Sequence, residues 1–231
     1  MWVPADKTNN YYRMEAKDYK ELQMKEVHKE YKKVDKKDIE KIKKSNKELV
    51  SELGLSDRVF RTEYKEAFNT LKDTKDNFNE NPKTRLINPT KPEIGRISKI
   101  ILERINKKIR EDSELKQWRD TGTVIEWFKN IKNKKKLHFV QFDIEAFYPA
   151  ITEIALEKAL KFGEKFTEIS ENDKKIIMEA RKVFLIADDS EWMKKENELF
   201  DVTMGAFDGA EICELIGLLA LSEIEKINNF K

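Results

Sequence analysis

Asp143 is the residue of this chain whose surroundings ask most clearly for chemistry. It lies in Phe142-Asp143-Ile144-Glu145-Ala146-Phe147-Tyr148-Pro149-Ala150-Ile151, at the end of a short branched and aromatic run, Leu137–Ile144. That run reads as an internal strand. A carboxylate at the end of a buried strand costs several kcal/mol unless a cation or metal pairs with it. Such a position suits a divalent metal that handles phosphates. The plainer reading, that Asp143 only caps the following turn, fits the spacing equally well.

A second segment, Phe200-Asp201-Val202-Thr203-Met204-Gly205-Ala206-Phe207-Asp208-Gly209-Ala210-Glu211, places a glycine turn ahead of an apolar helix. Glycine lets backbone approach a ligand closely, and a helix start offers unpaired N–H groups. Upstream, Leu71-Lys72-Asp73-Thr74-Lys75 and Arg85-Leu86-Ile87-Asn88 supply cations. Arginine presents a planar fork suited to phosphate oxygens. Taken singly, Lys72 and Arg85 are ordinary surface charges; their order ahead of Asp143 gives them interest.

In that order, the three segments resemble the reverse transcriptases of mobile elements, a divergent group with Penelope-like features in Met204-Gly205-Ala206. The resemblance spans Leu71 to Leu221. The Asp143 segment is similar to motif A of that family, the Gly205 segment to motif B, and the Lys72 and Arg85 segments to the fingers. The resemblance implies a catalytic, metal-binding Asp143 with the Ile144 carbonyl as a second ligand. It implies Tyr148 as the aromatic gate against a sugar 2′-OH. Lys72, Lys75 and Arg85 would hold the triphosphate, with Met204 and Gly205 beneath the nucleotide. It also implies two Mg2+ ions, an RNA/DNA template-primer and deoxynucleotide triphosphates. The family's third motif, an aromatic-x-Asp-Asp hairpin, should follow the last helix, but the chain stops at Lys231. An RNA-directed DNA polymerase fragment inactive by itself is therefore expected. Ile186-Ala187-Asp188-Asp189 imitates that hairpin but precedes Gly205 and reads as a helix-ending turn. A non-catalytic nucleic-acid-binding remnant and a helical scaffold protein are the alternatives.

The elements that must position these residues are legible by period and capping. Lys17–Leu53 reads as one or two exposed helices closing at Gly54. Thr62–Thr90 reads as strands and loops. Ile94, Ile97, Ile101, Ile105 and Ile109 define one buried face of a helix over Glu93–Glu111. Thr121–Lys132 should be helical, with Val124, Trp127, Phe128 and Ile131 inward. Helices are expected at Thr152–Lys165, at Ser170–Ile186 with Ser170 and Asp173 as a capping pair, and from about Gly209 to Asn228. In that last helix, Asp208 is the expected N-cap, with Glu211 closing the box. The fold class is α+β: a helical N-terminal extension over 1–60, then a partial palm and fingers over 61–231, an antiparallel sheet backed by helices.

Composition limits the options. Of 231 residues, 39% are hydrophobic, enough apolar material for a core even with 39% charged, and the net charge of only +2 by itself says little about partners. Lysine blocks at Lys29–Lys44 and Lys129–Lys136 could track a phosphate backbone, though a solvated helix face is the commoner reason for the first. Cys213 alone excludes an internal disulfide, and His28 and His138 are too few for a zinc cluster. Cys213, Trp118, Trp127 and Phe128 are expected in the core, a base-stacking platform being the other use of the rings. His138 should pack beside the strand. The start lacks an apolar leader, and Leu215–Leu221 is too short to span a bilayer, so an intracellular chain without membrane partners is expected.

Overall fold

The computed structural model describes residues 1–59, 62–115, 117–118, 120–141, 143–196 and 199–227. Its main core is helical. Helix α3 (Ile94–Asp112) buries Ile94, Ile101, Leu102, Ile105 and Ile109, positions that fall on one face at 3.6 residues per turn. Against that face pack α6 (Glu153–Gly163), α7 (Glu171–Glu179) and α8 (Gly209–Ile227). They contribute Leu156 and Leu160, Ile176 and Ile177, and Ile212, Leu215 and Leu218 to one continuous cluster. Thr152 caps α6. Ser170 and Asp173 close a reciprocal box at the start of α7, as their spacing implies.

The strands lie outside this helical layer. β1 (Trp2–Pro4) pairs with β2 (Tyr11–Arg13), and β5 (Phe68–Leu71) with β6 (Thr84–Ile87), both antiparallel. A parallel bridge from Ala5 to Leu71 joins the two hairpins. Helix α1 (Ala16–Glu30) lies on β6. Its Val27 shares a cluster with Ala67, Leu185 and Trp192. A three-stranded antiparallel sheet runs β3 (Tyr31–Lys33), β9 (Ser190–Lys194), β8 (Leu185–Ala187). Under it, α2 (Lys36–Glu52) places Ile39 and Ile42 against Phe184, and Val50 reaches the main core. A two-residue pair, β4 (Thr62–Glu63) with β7 (Lys91–Pro92), leads into α3. The class is α+β, with small antiparallel sheets around helices. The described residues 1–59 hold three strands as well as two helices, and β3 completes a sheet with residues more than 150 positions away.

Three expectations fail locally. No strand forms among the described residues of 137–144; residues 137–141, 143 and 144 are irregular and exposed, and Phe142 lies outside the described residues. A β-prone run becomes a strand only with a lateral partner, and among the described residues none pairs with it. The helix from Ser170 ends at Glu179 rather than continuing to Ile186. Val183-Phe184-Leu185-Ile186 is branched and aromatic, and pairing with β9 captures Leu185–Ala187 as strand. Helix α4 (Thr121–Asn130) forms as expected, but it buries no residue. Trp118, Trp127, Phe128 and His138 are therefore exposed rather than core. The last helix is described to Ile227; Asn228 lies outside the described residues.

Candidate functional site

The β5–β6 hairpin sets two cations side by side. Arg85 lies opposite Thr70 in the ladder, and Lys72 follows β5 directly, its N–H donating to the Lys83 carbonyl at 2.8 Å. Burial first, then repulsion from the Arg85 charge, lowers the Lys72 amine below its ordinary value of 10.5. Arg85 Nη1 donates to Asp6 Oδ1 at 2.8 Å, while its buried Nε has no partner among the described residues. Lys75 is exposed in the turn beyond. Two carboxylates act on this pair, Asp6 on both cations and Glu26 on Lys72, yet both cations stay partly exposed, where an anion can reach them.

The glycine turn docks onto the end of that hairpin. Asn88 donates its N–H to the Met204 carbonyl at 3.2 Å, and its side chain donates to the Phe184 carbonyl at 3.1 Å. Gly205 adopts φ +107°, and a Cβ there would stand 2.7 Å from the Asn88 carbonyl oxygen. Only glycine permits both.

Tyr148 lies against the start of the helix that follows this turn. After Ala146, at φ +49°, the chain makes the single helical turn α5 (Phe147–Ala150), which rests on α8. The Tyr148 ring lies 3.2 Å from where a Cβ at Gly209 would be. Its hydroxyl lies near the Cys213 thiol. Burial chiefly, then Cys213 and Glu211, raises the Tyr148 hydroxyl, while the Arg85 charge acts in the opposite direction. Burial pushes the Cys213 thiol up to about 11, so this half-buried residue is neutral and inert rather than a nucleophile.

Two buried ion pairs fix the turn from below, and neither was legible in the sequence. Arg181 pairs with Asp208 with both side chains almost fully enclosed. The Asp208 carboxylate, expected as an N-cap, is thus engaged by a guanidinium. Glu211, expected to close the box, is bridged to Lys99 at 3.4 Å. Lys194, also buried, donates to the Pro149 carbonyl at 2.6 Å and lies 3.4 Å from Asp201 Oδ1. The Tyr31 hydroxyl donates to Asp201 Oδ2 at 2.7 Å; burial, then the Asp201 charge, holds that phenol well above its usual range. Lys194 therefore ties the residue after Tyr148 to the segment before Met204. One signal was present: Lys194 shares strand parity with Trp192, and the two are the buried residues of β9.

Asp143 and Ile144 are exposed on irregular chain. Among the described residues no group of three His, Cys, Asp or Glu side chains could hold a metal ion. One carboxylate and one carbonyl do not amount to a two-magnesium site, which needs near-octahedral oxygen ligation at each ion. Asp188 and Asp189 do not end a helix. They form the tip of the β8–β9 hairpin with φ of +52° and +51°, the conformation of a type I′ turn. Asp188 is paired with Lys20.

No protein-family model matches this chain, and no curated protein matches it. Among the described residues, no helix is long and apolar enough to cross a membrane.

Proposed function

We propose that this chain carries the nucleotide-recognising face of an RNA-directed DNA polymerase of the reverse-transcriptase type, a partial palm and fingers. The observation behind this reading is the convergence of three distant stretches. The Lys72/Arg85 hairpin ends against the Met204-Gly205 turn, that turn leads to Gly209, and Tyr148 lies on Gly209 within the field of Arg85. Arg85 and Lys72, with Lys75 at the rim, take the triphosphate oxygens of a deoxynucleotide. Tyr148 lies under the sugar and excludes a 2′-OH, and the Met204-Gly205 backbone supports the base over a template-primer. Recognition by these groups is electrostatic and steric, carried by the protein's own side chains.

The exposure of Asp143 favours a second reading, a nucleic-acid-binding or scaffold protein without polymerase chemistry. Titration with a fluorescent deoxynucleotide triphosphate separates the two. Arg85→Ala should weaken binding about tenfold or more, as removal of a charge-assisted clamp does. Tyr148→Val should abolish a preference for deoxy- over ribonucleotide. Absence of binding at millimolar nucleotide, or equal binding by the Arg85 variant, would overturn the first reading.

A further inference from the structure

We infer that the rings of Trp118, Trp127, Phe128 and Phe139, with the lysines of residues 129–136, form a stacking platform for single-stranded nucleic acid, separate from the nucleotide site. Helix α4 buries none of its residues, yet it carries aromatic side chains that no core accepts. They gather on one another instead. The Trp118 and Trp127 rings are 4.6 Å apart, and Phe139 lies 5.5 Å from Phe128 and 6.4 Å from Trp127. Each of the four remains at least 40% exposed. An apolar group this size left in water marks an interaction surface.

Charge says what covers it. Residues 120–141 hold five lysines against two carboxylates, Asp120 and Glu126. Asp120 is spent on capping α4. Lys134 is also occupied, bonded to the Lys129 and Ile131 carbonyls and placed 5.4 Å over the Phe128 ring. Lys129, Lys132, Lys135 and Lys136 are exposed and form no ion pair among the described residues. Unpaired lysines bordering bare aromatic rings are what a single strand uses: bases stack on the rings while ammonium groups follow the phosphates. A duplex hides its base faces, so the platform takes single strands. It reads stacking rather than sugar, so RNA and DNA should bind within a few-fold of one another.

The test uses the whole chain and three fluorescein-labelled 15-mers: oligo(U), oligo(dT) and an abasic strand of equal charge. Fluorescence anisotropy at 50 and 200 mM salt gives the affinities. The base-bearing strands should bind at least about tenfold more tightly than the abasic one, since each stacked base contributes roughly that factor or more. Trp127→Ala with Phe139→Ala should remove that advantage while leaving abasic binding unchanged. Lys135→Gln with Lys136→Gln should weaken every strand and reduce the slope of log affinity against log salt by about 0.7 for each phosphate no longer neutralised. Circular dichroism and the deoxynucleotide titration serve as controls. Unchanged values there with altered strand binding separate this site from the Arg85 site. Equal affinity for the abasic strand overturns the inference. So does indifference to the ring substitutions, or a dimer in sedimentation that those substitutions dissolve.

Discussion

Gly205→Ala isolates the contact on which the arrangement of the site depends. At φ +107° an L-residue occupies a sparsely populated region at a cost on the order of 1–3 kcal/mol. The new methyl would also start 2.7 Å from the Asn88 carbonyl oxygen, a backbone atom that cannot rotate away. The turn must therefore retreat, loosening the Asn88 N–H bond to Met204, and a bond of this kind contributes about 0.5–1.5 kcal/mol. The expected loss is on the order of 2–4 kcal/mol. For a chain of this size that lowers the melting temperature by roughly 5–15 °C.

Two other glycines calibrate the measurement. Gly54 has φ +64° with nothing within 4 Å of an added Cβ, so Gly54→Ala should lose only about 1 kcal/mol. Gly217 lies within α8 with open space around it, and Gly217→Ala should gain about 0.5–1 kcal/mol. Thermal and urea unfolding of all three, with nucleotide titration of each, gives the comparison. If Gly205→Ala unfolds no earlier than Gly54→Ala, or binds nucleotide as the unaltered chain does, the close docking of the turn on β6 is refuted.

Lys194→Met should cost about 3–5 kcal/mol by urea unfolding, because Asp201 is left buried beside a phenol with no cation. Adding Asp201→Leu should recover most of that stability; equal losses in the single and double variants would contradict the pairing. Lys72 gives a pH test. Its amine is held below 10.5 in the free protein by burial and Arg85, whereas a bound phosphate favours the ammonium form. Binding therefore takes up a proton, and nucleotide affinity should fall as pH rises through the lowered Lys72 value. Lys72→Met should remove that fall; a flat profile in the unaltered chain refutes the role.

Features encoded within a few residues were legible. The isoleucine spacing of α3 and the Ser170–Asp173 box depend on one turn of helix, and both formed. Features that need a distant partner were not. Leu137–Ile144 has strand composition, but a strand exists only as half of a pair, and a single sequence does not show whether the other half is present. The periodicity of α4 was read correctly as a helix, yet periodicity distinguishes faces, not core from surface. In the site, Tyr148, Gly205 and Arg85 were chosen by resemblance. Asp6, Tyr31, Arg181 and Lys194 escaped notice because each acts through a partner from 7 to 170 positions away.

The charges around the turn divide into two kinds, and the difference bears on function. Arg181–Asp208 and Lys194–Asp201 are enclosed and matched one to one. Buried pairs of this sort contribute little net stability compared with apolar side chains of equal volume, since desolvation offsets attraction. What they do impose is geometry: a buried cation must sit where its carboxylate is. Here both pairs flank the Met204-Gly205 turn, and Lys194 also holds the Pro149 carbonyl next to Tyr148. Lys72 and Arg85 are different. They are partly exposed and repel one another, with Asp6 bonded to Arg85 and Glu26 and Asp6 both acting on Lys72, so neither cation is enclosed with a partner of its own. Enclosed pairs flanking the turn and partly exposed cations on the hairpin suit a surface held still for an anion. On that logic the Lys194→Met, Asp201→Leu double variant should fold nearly as well as the unaltered chain and yet bind nucleotide poorly, because its turn is no longer tied to the Tyr148 segment.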